Sequence, residues 1–367
     1  MDFPTKYDEI LARIHQVDPI KYGQTRNFLN GAVTYLSPYI ARGVISTKIV
    51  LDAVLDKGYQ VDEIESFVKE HAWRDYFQRL GQVRNLETDI KFPQTEVEHH
   101  EIPLTVVNAQ TGIQALDSAI ESLYAHGYMH NHLRMYTAAV VTNVGKAHWF
   151  LPSKWMYYHL LDGDFASNRC SWQWVCGANS NKKYVANQEN INRFAGTQQH
   201  NTFLDCPYES LPPKKVPTEL LETTDLTLET QLPIVENFEV DSTQPTFVYN
   251  YYNLDPLWHK EEAGNRILLL DPAFFKEHPV SSNVLNFALE LAQNIENLKL
   301  FVGSFSELVE KCSQSEIYFK EHPLNEGYAG TEEPRDWIST QITGFFPSFF
   351  AYWKPLQKEL IQKQAHA

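Results

Sequence analysis

LLDGDFASNRCSWQWV, residues 160–175, sets two carboxylates, Asp162 and Asp164, around a glycine and follows them with Asn168, Trp172 and Trp174. Carboxylates, an amide and two indoles this close together combine hydrogen-bonding groups with redox-capable rings. The DGD turn could equally hold a metal, but no further ligands follow at calcium-loop spacing. It could also be a plain turn with aromatic core residues beyond it.

Upstream, GYMHNHLRMY (127–136) and ESFVKEHAWRDYF (65–77) place polar groups beside aromatics at helical spacing. Glu70 and Arg74 stand four apart, as a surface ion pair would. Met135 and Tyr136 could be core residues. His130 and His132 are two apart and so lie on different sides of a helix, which argues against a shared metal. Further upstream, YGQTRNFLNGAVTYLSPYIARGVIS (22–46) puts a Thr and a Ser before an SP turn and a helix. Hydroxyls and free amide groups there could hold an anion such as a pyrophosphate, or simply cap the helix.

These segments lie in a half of the chain that reads as helical throughout. YDEILARIHQV, ISTKIVLDAVLDKGY and VDEIESFVKEHAWRDYFQRLGQV all space apolar residues by three and four. After a stretch at 206–244 without sustained periodicity, the texture changes. PTFVYNYY, RILLLDP, LKLFVG and EIYFKEHP read as short strands, with VLNFALELAQNIENL and FSELVEKC as helices between them. Alternation of this kind predicts a small parallel-sheet unit over about 245–325. An aromatic stretch, FFPSFFAYW, and a Lys-rich helical tail close the chain. The expected class is mainly α: a helical domain over 1–205, a connection over 206–244 and a smaller α/β region over 245–367.

Composition sets outer limits. The 367 residues, 43% hydrophobic and 21% charged, suit a globular protein with a proper core. No run of about 18 apolar residues occurs, so no helical membrane span is expected. The start, MDFPTKYDEI, lacks the apolar region of a secretory signal. Four cysteines without metal-ligand spacing fit a reduced, cytoplasmic setting. The net charge of −15 is uneven: residues 1–200 hold 19 Lys and Arg against 21 Asp and Glu, and the rest hold 12 against 25. A local basic face in the first half therefore stays compatible with nucleic-acid binding.

Taken together and in order, the four segments resemble the signatures of the flavin domain of the photolyase/cryptochrome family: phosphate turn, WR helix, HNxLRM helix and DGDxASN…WQW segment. The resemblance covers roughly half of the chain and implies an all-helical domain that binds FAD. On it, Tyr22, Thr34, Tyr35, Leu36 and Ser37 would contact the phosphates and ribityl chain, with Phe67 near the cofactor. Arg134 and Asp162 would pair against the isoalloxazine ring with Asp164 alongside, and Asn168 would face flavin N5. Glu70, Trp73, Asn131, Met135 and Trp174 match the residue types of a cyclobutane-dimer pocket, where flipped bases need aromatic walls. No His pair of the kind a 6–4 photoproduct enzyme carries stands there, apart from His132 nearby. Arg26 and Arg74 would meet the DNA backbone.

Trp149 and Trp172 match the middle and flavin-proximal members of the family's tryptophan chain. The segment FPQTEVEHHEIPLTVVNAQ (92–110), where the outer member is expected, has no Trp; Trp155 is a candidate only by proximity in sequence. The family's N-terminal antenna domain is not expected here, since the flavin signatures begin near Tyr22; RILLLDPAFFKEHPVSSNVLNFALELAQ loosely resembles the start of such a fold. The loop after WQWV differs from the usual DNA-contacting one but keeps Asn179, Asn181, Lys182 and Lys183, which suit phosphate. The resemblance thus implies light-driven splitting of pyrimidine dimers in damaged DNA, with single strands preferred. The alternative is a cryptochrome-like photoreceptor that signals to a protein partner through its acidic C-terminal region. Neither reading calls for a metal or a membrane.

Overall fold

A computed structural model describes the chain apart from Met1, Gln314, Glu326, Ala367 and the side chain of His366. Among its helices are α1 (Glu65–Gly81), α2 (Asn131–Ala139), α3 (Phe150–His159), α4 (Phe165–Cys176), α5 (Ser282–Ala292), α6 (Phe305–Cys312) and α7 (Phe349–His366). Five strands form one sheet: β1 (Thr246–Tyr249), β2 (Asn265–Leu270), β3 (Lys299–Val302), β4 (Ile317–Lys320) and β5 (Thr331–Glu333). Compactness groups the chain into a first unit, Ile20–Val33 with Val83–Leu228, and a second unit, Asp2–Pro19 with Thr34–Gln82 and Glu229–Ala367.

The first unit is built from helices around an apolar cluster that includes Ile120, Leu133, Trp149, Trp155, Trp172 and Ile191. Only two short strands, Ile102–Pro103 and Thr223–Thr224, pair in it among the described residues, and they run antiparallel. Helix α4 starts where the Asp164 side chain accepts from the Ser167 backbone N–H, a cap that contributes about 1 kcal/mol. It stops at Gly177, whose φ of 89° is the left-handed conformation that glycine adopts without strain. Glycine also suits position 163. A Cβ there would lie 3.0 Å from the carbonyl oxygens of both Leu160 and Tyr157, so a side chain would push the DGD turn open by a few tenths of an ångström.

The second unit holds the sheet, ordered β3-β2-β1-β4-β5 with every neighbouring pair parallel. All four residues of β1 are buried, as in parallel sheets, whose central strands are covered on both faces. Helix α5 lies between β2 and β3 in the chain, and α6 between β3 and β4. Helix α6 opens on a reciprocal cap: the Ser304 hydroxyl accepts from the Glu307 N–H at 3.2 Å, and the Glu307 carboxylate accepts from the Ser304 N–H at 2.7 Å. Val248, Ile267, Leu269, Leu308 and Phe319 pack one core of this unit.

The strands and helices expected over 245–325 are all present. Of the expected class, the combination of many helices with a five-stranded parallel sheet is present, and α/β with substantial helix describes the chain. No helix among the described residues is long and apolar enough to cross a membrane.

Candidate functional site

The expected site residues fall into two groups, one in each unit. In the first unit, α2 carries Asn131, Arg134 and Met135, the DGD turn carries Asp162 and Asp164, and α4 carries Asn168, Trp172 and Trp174. One guanidinium nitrogen of Arg134 donates to both oxygens of Asp162 at 2.9 Å. Its Nε donates to the Met129 carbonyl at 2.7 Å, and the guanidinium lies 5.3 Å from the Tyr128 ring centroid. Asp162 is buried, so this pair is charge-assisted, held on three sides and screened little by solvent.

Asp164 serves as the cap of α4. Asn168, one turn into that helix, donates through its Nδ2 to the Ser153 carbonyl at 2.9 Å. That bond fixes the amide's orientation and leaves its oxygen as the group able to accept from a ligand. Beside it, the Ser167 hydroxyl is buried and has no hydrogen-bond partner among the described residues. A buried hydroxyl without a partner costs about 1–3 kcal/mol, so a ligand atom that bonds it gains that much. A carboxylate-held cation, an oriented amide oxygen and an open hydroxyl fit the polar edge of an isoalloxazine ring.

Asn131 is exposed at the start of α2, Met135 is half-buried, and Trp174 is 39% exposed with its ring 5.8 Å from that of Tyr184. The two histidines work inside the unit. His130 accepts from the His132 N–H, and His132 bonds the Asn27 carbonyl at 2.9 Å through Nδ1. Burial pushes the His130 imidazole down to about 4, with His132 and Arg134 adding to the shift. Tyr22 and Arg26 lie together, the guanidinium 6.0 Å from the ring centroid. Lys182 is exposed. Lys183 instead donates to the Thr95 carbonyl and pairs with Glu96 at 2.5 Å, which neutralises much of the charge expected to meet phosphate.

Trp149 and Trp172 are both buried in the same apolar cluster. The Trp149 indole N–H donates to Asp89 Oδ1 at 2.7 Å. Trp155 is buried too, and its N–H donates at 3.0 Å to the Tyr124 hydroxyl, which in turn donates to the Val107 carbonyl.

The second unit holds Thr34, Tyr35, Leu36, Ser37, Phe67, Glu70, Trp73 and Arg74. Tyr35 takes a left-handed φ of 54°, and the Thr34 hydroxyl accepts from the Leu36 N–H at 3.4 Å, closing the turn before the helix Ser37–Ala41. That helix is only five residues long, so its dipole adds little to anion binding. Phe67 has no exposed surface and packs 4.4 Å from the ring of His71, as a core residue does. Glu70 and Arg74 are half-buried on α1. Trp73 lies face to face with Phe349 at the start of α7, ring centroids 3.7 Å apart and planes 7° from parallel. That face of the indole is therefore covered within the unit by Phe349. Helix α1 is further tied within the unit by Asp75, which accepts from the Ile338 N–H at 3.0 Å and from the Thr47 hydroxyl at 2.8 Å.

Reading the sequence missed Asp89, Ser167 and Phe349. Asp89 and Phe349 lie far along the chain from the residues they touch, and a lone Ser in ASN carries no signal that its hydroxyl ends unpaired.

Residues 67–203 match the family described as the FAD binding domain of DNA photolyase. A deoxyribodipyrimidine photo-lyase of Alkalihalophilus pseudofirmus is 32% identical over 148 residues, 38% of this chain and 30% of that protein. A cryptochrome DASH of Gloeobacter violaceus is 29% identical over 178 residues, 44% of this chain and 34% of that protein. Among solved structures, a cryptochrome of Synechocystis is similar at a TM-score of 0.47 with 23% identity, over 53% of this chain and 44% of that one. The chain spans about a third of the length of the curated relatives it matches. Over residues 67–203, then, the chain is similar to the FAD binding domain of DNA photolyase, in keeping with the photolyase and cryptochrome relatives it matches.

Proposed function

We propose that the chain binds FAD and uses it, under light, to split cyclobutane pyrimidine dimers in DNA, single strands being preferred. The observation that carries this reading is the Arg134–Asp162 pair together with Asn168, whose amide is turned by Ser153 so that its oxygen is left for a ligand. When bound, reduced FAD supplies the electron that such a repair reaction needs and takes it back afterwards. The chain's own residues do the rest. Arg134, held by Asp162, supplies fixed positive charge for the ring's electron-rich edge. The Asn168 oxygen would accept a hydrogen bond from a protonated ring nitrogen and so favour the reduced cofactor. Tyr22 and the turn Thr34–Ser37 serve the phosphates. Glu70, Asn131, Met135 and Trp174 serve the dimer, with Arg26, Arg74 and Lys182 for the DNA backbone.

Along the chain this reading gives the flavin role to 1–205, a connecting role to 206–244 and the accessory role to 245–367. Irradiation of purified, reduced protein with dimer-containing DNA tests it. Loss of dimers, faster in single strands than in duplex, is expected. Unchanged dimer levels in both would sink it.

The Trp73–Phe349 stack favours a second reading. An aromatic wall occupied by the chain's own Phe349 suits a cryptochrome-like photoreceptor that signals to a protein partner through 245–367. Light-dependent hydrogen exchange confined to that region, with no repair, is the result expected from it.

A further inference from the structure

The stretch 89–94, which runs into the segment where the outer tryptophan is missing, holds Trp149. Asp89 accepts the Trp149 indole N–H on Oδ1 at 2.7 Å and the Gln94 backbone N–H on Oδ2 at 2.9 Å. The Gln94 side chain in turn accepts from the Trp149 backbone N–H at 2.9 Å and donates to the Ala147 carbonyl at 2.9 Å. Residues 89–94 therefore clamp both the backbone and the ring of Trp149, and they aim a carboxylate oxygen along its one polar bond.

The surroundings penalise positive charge on that ring. Trp149 has no exposed surface, and a buried ion loses its hydration. The Arg169 guanidinium lies 5.7 Å from the ring centroid, held by Glu87 at 3.3 Å and by the Phe150 carbonyl at 3.2 Å. The His148 ring lies 5.5 Å from that of Trp149, and His100 stacks on His148 at 4.8 Å. Burial lowers the proton affinity of His148, so it adds no fixed charge at neutral pH.

An indole that loses one electron becomes acidic at N–H, and an acceptor in hydrogen-bond contact can then take the proton. We propose that Asp89 is the proton acceptor of Trp149 when Trp149 is oxidised. The step rests on the reading of Trp149 and Trp172 as electron donors to a bound flavin. Trp149 gives one electron to oxidised Trp172, which has given its own to photoexcited, oxidised flavin, the oxidant of the sequence. The Nε1–H bond of Trp149 breaks and an O–H bond forms on Asp89 Oδ1. A neutral indolyl radical and a carboxylic acid result, and the proton returns when the electron does. Without a tryptophan further out, loss of the proton traps the hole on Trp149 instead of passing it onward.

Transient absorption of the oxidised, FAD-loaded protein after a blue flash tests this. In the unaltered protein the red-shifted band of the tryptophan radical cation should convert to the band of the neutral radical, more slowly in heavy water. Asp89→Asn keeps the shape and an acceptor oxygen but removes the base. In it the cation band should persist and charge recombination should quicken at least about tenfold. Conversion in D89N at the rate of the unaltered protein would overturn the proposal. So would an unaltered protein that shows only the cation band, a result that needs no variant to fold. Trp149→Phe separates the two levels: a radical spectrum unchanged in W149F would remove Trp149 from the electron path, and the proposal with it. A spectrum that W149F changes and D89N does not would leave that path standing and overturn Asp89 alone.

Discussion

The surroundings of Asn168 and those of Trp73 both hold residues expected to meet a ligand, yet the chain treats them differently. Around Asn168, Arg134 is held by Asp162 and the Asn168 nitrogen by Ser153, which leaves the amide oxygen for a ligand, while the Ser167 hydroxyl has no partner among the described residues. Around Trp73, the groups are spent on one another. Its ring lies against Phe349, and along the same helix Asp75 is satisfied by Thr47 and Ile338 and Arg79 lies 4.2 Å from the Trp337 ring centroid. The first arrangement suits binding, since a ligand completes it. The second suits stability, since a ligand would have to compete with the chain itself.

That contrast can be broken or sharpened by substitution. Asp162→Ala leaves the Arg134 guanidinium without its carboxylate and should cost about 3–5 kcal/mol, read as a fall in Tm together with loss of flavin absorbance. A variant that keeps both would show that the pair anchors nothing. Phe349→Ala should cost about 3–4 kcal/mol from a buried ring lost, and it should open the Trp73 face. If affinity for dimer-containing single strands rises in it, the stack is a cover; if only Tm falls, it is core.

Acid should weaken the α1 region next. Burial holds the His71 imidazole at about 4 against an ordinary 6.5, so the folded state prefers it neutral. Its contribution is complete above 6.5 and is lost as pH falls from 6.5 toward 4, at most about 3 kcal/mol. His71→Phe should flatten the decline of Tm over that window. The smallest effect is expected at Ser167→Ala, which removes an unsatisfied hydroxyl. It should leave the cofactor-free protein unchanged or more stable by about 1 kcal/mol while FAD is released faster. Equal retention of FAD would mean that this hydroxyl faces no ligand.

Much of the sheet was legible because its inner strands are short apolar runs between turn residues, and buried parallel strands read that way. Strand β5 was not, since TEE at Thr331–Glu333 has neither apolar character nor alternation; its place comes from pairing with β4 alone. In the site, the ion-pair partners Arg134 and Asp162 were legible from the resemblance of their segments to a family. The fate of Trp73 was not, because periodicity on α1 shows which face is buried but not what buries it. Nor was Lys183 legible as a neutralised charge, since its partner Glu96 lies on a loop of irregular backbone.

The interleaving of the two compact units bears on how this protein can be cut. The chain passes from one unit to the other near residues 19, 33, 82 and 228. A fragment ending at Phe203, where the match to known flavin domains stops, would therefore carry α1 without Ile338, Ser339, Phe349 and Tyr352, against which that helix lies. Trp73 and Tyr76 would be left bare, and Asp75 would lose one of its two donors. The region that can be recognised by similarity is thus no dissectable piece, and a flavin domain expressed on that boundary should collapse or aggregate where the full chain stays folded.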